Sequence, residues 1–259
     1  MKIALLHTSN PGRKIALNKD LNGGLGTADD YGTSLTGRLL AWLKWKFIAF
    51  PVISIAHVQA ILKASGHEVR YYEDEDPAEP FDVGLMYGSL VDDRNENACV
   101  EGLKRRFPAS RIGFWGPFPS RFPERFASGD FVIAGEAEAF FLTGAAPRLL
   151  RETGIIRSAA VLDMDALPAP DYSGFPISRY SYAPMLPKRP YLPLLASKGC
   201  PYSCGFYCSY GEYQGAKYRQ RAPAKVYADM RRLRDAHGAR AIQFRDPTFG
   251  LDRRFVTEL

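Results

Sequence analysis

Short apolar runs alternate with amphipathic stretches through the first 150 residues, and this alternation constrains the fold more than any other feature of the chain. Five runs predict buried strands: KIALLHTS (2–9), HEVRYYE (67–73), FDVGLMYG (81–88), RIGFWG (111–116) and FVIAG (131–135). Helical stretches between such strands favour right-handed βαβ connections. We therefore expect an α/β fold in which residues 1–150 form a Rossmann-like domain around a five-stranded parallel sheet.

Two of the intervening stretches have clear helical periodicity. ISIAHVQAILKASG (53–66) places Ile55, Val58 and Ile61 on one face and ends at a glycine. DDRNENACVEGLKRRFP (92–108) begins with acidic residues and ends before a proline. Both patterns are typical of helices that bury one face against a sheet.

Ligands of open parallel sheets bind beyond the carboxyl ends of the strands. In this sequence those ends are His7–Asn10, Tyr87–Leu90, Gly116–Pro119 and Gly135–Glu138. We expect this edge of the sheet to be its functional edge.

The remainder of the chain divides into two parts. Residues 151–188 are rich in Pro, Tyr, Ser and Asp without a sustained period, which indicates a linker that crosses a surface. A second βα pattern fills 189–259: YLPLLASKG (191–199), PAKVYADMRRLRDAHG (223–238) and AIQFRD (241–246). DRRFVTEL (252–259) opens a further helix in its first turns, so we expect this second fold to be incomplete at residue 259.

Three of the four cysteines fall within nine positions of SKGCPYSCGFYCSY (197–210), as Cys200, Cys204 and Cys208. A structural zinc site needs four ligands, and only Cys99 and four histidines remain to supply the fourth, so a zinc site stays open as an alternative. A 4Fe–4S cluster held by three thiolates instead leaves one iron free for a substrate or cofactor. The Gly, Ser, Pro and Tyr residues of the loop favour a ligand-wrapping turn over a packed core.

This loop resembles the cluster loop of radical S-adenosylmethionine enzymes, which follows the first strand of a partial (β/α)6 barrel. The spacing here is C-x3-C-x3-C, one residue longer than the usual C-x3-C-x2-C of that family. The resemblance implies that the three cysteines bind a 4Fe–4S cluster, whose open iron binds S-adenosylmethionine. It also implies that Tyr207 contacts the adenine, and that residues 189–259 form the first two βα units of the barrel.

AIQFRDPTF (241–249) is similar to the second barrel strand of that family, whose end faces the methionine moiety. By position, Asp246 and Thr248 would then reach S-adenosylmethionine; the alternative is that they form an N-cap and turn before the next helix. Basic residues also flank the loop. They are Lys198, Lys217, Arg219 and Arg221. We expect most of them to lie on the solvated surface, with contact to a carboxylate or an anionic substrate as the alternative.

The first half of the chain resembles the cobalamin-binding domain that precedes many radical S-adenosylmethionine enzymes. The resemblance rests on GFWGPFPSRFPERFASGDFVIAGEAEAFF (113–141), on residues 51–75 and on the segment LDMDALPAPDY (162–172). It implies that cobalamin lies along the functional edge of the sheet, against Ser9, Tyr87, Gly88, Ser89, Gly116, Pro117, Gly135 and Glu136. The Asp-x-His-x-x-Gly pattern of base-off cobalamin proteins is missing around His7, which we interpret as a strand-end or core histidine.

The resemblance implies an enzyme that cleaves S-adenosylmethionine reductively and either transfers a methyl group to an unactivated carbon of a small-molecule substrate or carries out related radical chemistry on it. A reductase, flavodoxin or ferredoxin would supply its electron. Two alternatives remain: a cobalamin carrier or sensor with a non-functional barrel stub, and a zinc-stabilised nucleic-acid-binding module. Residues 188–259 carry 14 Lys/Arg against 6 Asp/Glu, but the arginines are scattered over several predicted elements, which disfavours nucleic acid.

The start of the chain, MKIALLHTSN, has no pattern of a secretory signal. The most apolar stretch, FIAFPVISIA (47–56), contains a proline and is far shorter than the roughly 20 residues that span a bilayer. We expect a cytoplasmic protein without a membrane partner.

Overall fold

The computed structural model describes residues 1–20, 25–183, 185–202, 204 and 208–259. Its strands are β1 (Lys2–His7), β2 (Leu17–Asn18), β3 (Thr27–Ala28), β4 (Ile48–Ala49), β5 (Glu68–Glu73), β6 (Val83–Tyr87), β7 (Arg111–Trp115), β8 (Phe131–Ala134), β9 (Gly154–Arg157), β10 (Ser181–Tyr182), β11 (Tyr191–Leu194), β12 (Ser197–Lys198), β13 (Arg219–Gln220) and β14 (Ala241–Phe244). Its α-helices are α1 (Leu35–Phe47), α2 (Ile53–Ala64), α3 (Asp93–Arg106), α4 (Pro117–Arg121), α5 (Ala137–Leu142), α6 (Tyr210–Gln214), α7 (Pro223–His237) and α8 (Arg253–Glu258). Short 3-10 helices lie at Pro11–Arg13, Pro123–Phe126, Ala146–Leu150, Met164–Ala166 and Ile177–Arg179.

A six-stranded parallel sheet organises the first part of the chain, in the order β5-β1-β6-β7-β8-β9. Mixed α/β structure and a Rossmann-like parallel sheet are confirmed. The expected count of five strands is wrong, because β9 adds a sixth strand at the edge from within the predicted linker. Only Ile156 of this strand is buried, so its sequence lacks the apolar run that marks the other strands.

Each face of the sheet packs against one of the two helices that the sequence predicts. Ile3 and Leu5 of β1 belong to the core cluster that includes the α2 face, whereas Ala4 and Leu6 belong to the cluster that includes the α3 face. This alternation is the period of two that a strand buried on both sides requires. Both predicted helices therefore occupy the positions that the sequence indicates.

The segment that follows β9 crosses α2 and is fastened to it by buried polar side chains. The Gln59 side-chain amide donates to the carbonyl oxygens of Asp171 and Ser173, at 2.9 and 2.8 Å. Tyr172 is fully buried, and its hydroxyl donates to the carbonyl of Pro193 in β11 at 2.9 Å. This segment therefore packs tightly between the sheet domain and the last part of the chain.

In the last part of the chain, β11 and β14 pair in parallel and α7 connects them. Gly238 ends α7 in the left-handed conformation, with φ 66°. β12 and β13 pair antiparallel and close the base of the cysteine loop. Among the described residues, no helix is long and apolar enough to cross a membrane.

Candidate cofactor site at the cysteine loop

The cysteine loop leaves the end of β12 and returns to β13. Cys200 is buried, Cys208 is half-buried and Cys204 is exposed, and none of the three is in a disulfide. Tyr207, the residue predicted to contact adenine, lies outside the described residues.

Backbone contacts fix the first turn of the loop. The Gly199 N–H donates to the Gln214 side-chain carbonyl at 3.0 Å, and the Cys200 N–H donates to the Gly215 carbonyl at 3.2 Å. Gly199 has φ 82°, and a Cβ at this position would clash with the carbonyl of Lys217. Only glycine fits here, because the backbone is both left-handed and closely approached.

The three thiols match a cluster in their chemistry, since thiolates are the ligands that iron–sulfur centres take. Their arrangement is not that of a closed metal centre: within the described ranges, no group of three or more His, Cys, Asp and Glu side chains is placed to hold a metal ion. Cys99 lies in α3 and lines a separate cleft with His7 and Asp74.

Asp246 and Thr248 both meet the cysteine loop region. The Asp246 carboxylate accepts hydrogen bonds from the Ala196 N–H at 2.9 Å and the Ser197 hydroxyl at 2.5 Å. Burial raises the pKa of Asp246 to about 6, although these hydrogen bonds oppose the shift. The Thr248 hydroxyl lies 3.5 Å from the Cys200 sulfur.

The N-cap of α8 is Asp252, whose side chain accepts from the Arg254 N–H. Asp246 is therefore not the cap of that helix. It connects the end of β14 to the turn that leads into the cysteine loop, and Thr248 lies beside the first thiol.

At the first strand ends of the functional edge, the polar side chains are used internally. The Ser9 N–H donates to Asp74 at 2.6 Å, and the Ser9 hydroxyl also donates to that carboxylate. Ser89 donates through its N–H and hydroxyl to Glu96, at 2.8 and 2.7 Å, and Lys19 forms a buried salt bridge with the same carboxylate at 2.6 Å. Ser9 and Ser89 are therefore hydrogen-bonded to carboxylates of the protein itself.

Tyr87 is fully buried at the end of β6, with its ring edge-on to Trp115. Its hydroxyl donates to Asp20 at 2.9 Å. Burial raises the pKa of the Asp20 carboxyl. The backbone carbonyl of Asp20 also accepts a hydrogen bond from the Tyr210 hydroxyl, at 3.4 Å. A polar contact therefore joins the sheet edge to α6, directly after the cysteine loop.

His7 is a buried, hydrogen-bonded histidine, as the sequence predicts. Its Nδ1 lies 2.9 Å from the Tyr71 hydroxyl. Burial, together with the positive charges of Lys19 and Arg179, holds the pKa of His7 well below its ordinary value. The ring is therefore neutral at physiological pH.

A cleft of about 250 Å³ separates the sheet edge from the helix that follows the cysteine loop. Pro117 and Gly135 line it from the strand ends, and Ser209, the N-cap of α6, and Tyr213 within α6 line it from the other side. The Tyr213 hydroxyl is buried and has no hydrogen-bond partner among the described residues. The cleft thus brings two of the predicted edge residues next to the residue that follows Cys208.

Gly135 shapes the sheet side of this cleft. It has φ 109°, its N–H donates to the Ser120 hydroxyl at 2.9 Å, and an added Cβ would clash with the Ser158 carbonyl. Gly88 and Gly116 also lie at strand ends, and the Gly88 N–H donates to the Trp115 carbonyl at 2.9 Å. The glycines predicted at the edge serve close backbone approach.

Burial of the basic residues around the loop is the largest departure from expectation. Lys198, Arg219 and Arg221 are not solvated; each is almost fully buried and paired with a carboxylate, and only Lys217 is exposed. Glu136, predicted to contact cobalamin, accepts from Arg219 at 2.6 Å. The sequence gives no local signal for these pairs, because their members lie far apart in the chain.

Comparisons with known proteins are limited to part of the chain. The sequence matches no protein-family model. It is 26% identical over 146 residues to an uncharacterised methyltransferase from Pyrococcus horikoshii. The aligned region is 50% of this chain and 31% of that protein, so the chain spans less than a third of the length of the relative that it matches.

Proposed function

We propose that this chain carries the cofactor-binding part of a radical S-adenosylmethionine methyltransferase. Cys200, Cys204 and Cys208 would hold a 4Fe–4S cluster, and the iron without a protein ligand would bind S-adenosylmethionine. The observation that carries the proposal is the loop itself: three free thiols follow a strand, and Ser209, the residue after the last of them, lines a cleft at the carboxyl edge of a parallel sheet. Similarity to a protein described as a methyltransferase supports methyl transfer as the outcome.

When bound, such a cluster supplies the electron that cleaves S-adenosylmethionine. The residues of this chain supply placement and protection from water. Asp246 holds Ala196 and Ser197 in the turn before the loop, and Thr248 presents a hydroxyl beside Cys200. We propose that this hydroxyl and the Asp246 region face the methionine moiety.

Cobalamin is the second cofactor that we propose, along the sheet edge. We propose that it would contact the cleft bounded by Pro117 and Gly135, which adjoins Ser209 at the end of the cysteine loop. His7 is held by Tyr71, so we propose binding without a histidine ligand from this position. A small-molecule substrate would lie between this edge and the loop, and a reductase, flavodoxin or ferredoxin would deliver the electron.

Anaerobic reconstitution with iron and sulfide tests the cluster. We expect about four iron atoms per chain and a brown, absorbing protein. A variant with Cys200→Ala, Cys204→Ala and Cys208→Ala should bind none, whereas Cys99→Ala is the matched control and should bind as the wild type does. Equal iron content in the wild type and the triple variant, or a colourless wild type that carries tetrahedral zinc, contradicts the proposal.

Two titrations test the remaining cofactors. S-adenosylmethionine should alter the EPR spectrum of the reduced wild-type protein, and Thr248→Val should weaken that effect. Hydroxocobalamin should bind with a change in its visible spectrum, and Gly135→Leu should abolish binding by filling the cleft. A protein that binds cobalamin but never iron would instead support a carrier or sensor.

A further inference from the structure

A buried group of four charges lies at the base of the cysteine loop. Lys198 and Arg219 face each other across the β12–β13 pair, one where the chain enters the loop and one where it returns. Both are almost completely buried, with 1% and 5% exposure. Buried cations at these positions need carboxylate partners, because isolated charges are costly to desolvate.

Both partners come from the sheet domain, at the carboxyl end of β8 and the start of α5. Lys198 Nζ lies 2.8 Å from Glu138 and 3.6 Å from Glu136. Arg219 donates to both oxygens of Glu136, at 2.6 and 3.2 Å. Two cations and two carboxylates thus balance within one buried cluster.

The two ends of this cluster are fixed in different ways. Glu136 also accepts from the Val161 N–H at 2.9 Å, and Arg219 also donates to the carbonyls of Val161 and Gln214. The planar guanidinium bound by both carboxylate oxygens fixes orientation as well as distance. Glu138 keeps one buried oxygen without a partner among the described residues, so its contact with Lys198 is its main hydrogen bond.

We propose that Glu136 and Glu138 are positioning residues that hold the cysteine loop against the sheet edge. Gly135, which lines the cleft, directly precedes Glu136, and Lys198 lies two residues before Cys200. The pairs therefore set the distance between the cleft and the first thiol. An effect of these residues on catalysis rests on the proposed function, whereas the position of the loop can be measured in the protein without any cofactor.

Thiol alkylation of the metal-free protein tests this positioning. Iodoacetamide labelling, followed residue by residue by mass spectrometry, compares the wild type with the double variant Glu136→Gln/Glu138→Gln, which keeps shape and removes both charges. We expect Cys200 to react at least about tenfold faster in the variant, because loss of the pairs lets the loop open. Cys99 in α3 is the internal reference and should react at an unchanged rate.

Asp229→Asn is the matched control. It removes the α7 carboxylate that pairs with Arg221, the residue directly after β13, whose guanidinium also donates to the Leu167 carbonyl. This variant should lose stability while its Cys200 rate stays within about twofold of the wild type, since the loop base remains paired. A general effect of destabilisation would raise the Cys200 rate in both variants.

An unchanged Cys200 rate in a folded double variant, with folding checked by circular dichroism, overturns the positioning role. Should the double variant not fold, Lys198→Met removes the Lys198–Glu138 and Lys198–Glu136 contacts from the loop side and leaves the Arg219 pair in place, and an unchanged Cys200 rate in that variant overturns the role of Glu138. The assay contains no iron. A wild type that never assembles a cluster would therefore overturn the proposed function. The alkylation result would still test the positioning role of Glu136 and Glu138, because it does not depend on a cluster.

Discussion

Replacement of Arg219 by methionine should cost far more stability than loss of an exposed arginine. The guanidinium is 5% exposed and binds both oxygens of Glu136, so its removal leaves that carboxylate buried. Lys198 at 3.6 Å and the Val161 N–H at 2.9 Å compensate only in part. Breaking a buried ion pair by removing one partner lowers the free energy of unfolding by about 3–5 kcal/mol. Because Glu136 keeps these two contacts, we expect a loss at the lower end of that range, about 3 kcal/mol.

Urea unfolding, followed by circular dichroism and by tryptophan fluorescence, measures the change. Total stabilities of about 5–15 kcal/mol mean that a loss of this size moves the midpoint clearly. Arg148→Met is the control: this arginine pairs with Glu152 on the surface, 56% exposed, where an ion pair contributes at most about 1 kcal/mol. If the two variants lose the same stability to within about 1 kcal/mol, the buried cluster does not hold the two parts of the chain together.

Two further predictions follow from single residues. Burial raises the folded-state pKa of Asp246 from 3.8 to about 6, so the folded protein binds the proton more tightly and loses stability as the pH rises from about 4 to 6. Asp246→Asn should remove that pH dependence, on the order of 3 kcal/mol, in urea midpoints of the metal-free protein; an equal slope in both proteins contradicts it. Gly135→Ala should lower the free energy of unfolding by about 2 kcal/mol or more, because Gly135 has a positive φ and the new Cβ would clash with the Ser158 carbonyl. Gly102→Ala within α3 is the control: its Cβ would meet nothing within 4 Å, so this variant should be neutral or stabilised by about 0.5–1 kcal/mol. Thermal melting of the two variants checks the sign, and a stable Gly135→Ala protein would show that the strand end can relax.

Local patterns identified most of the regular structure. The strand runs, the α2 and α3 faces and the glycine that ends α7 are all found where periodicity and stop signals place them. These signals are local because the side chains that bury one face recur every two or three to four residues. Helix α1 shows the limit: it buries only Gly37 and Ala41, and its apolar residues such as Leu35 are exposed, so no periodicity toward a core revealed it.

The cysteine spacing, and with it the type of cofactor chemistry to test, was available from the sequence by itself. Only the tertiary structure decided which charges are buried, since Lys198 pairs with Glu138 across 60 residues and Arg219 pairs with Glu136 across 83. It likewise decided that β9 completes the sheet and that Asp246 supports the turn before the loop. Pairing of this kind depends on where the folded chain brings distant groups together, and a one-dimensional pattern of residue types does not contain that information.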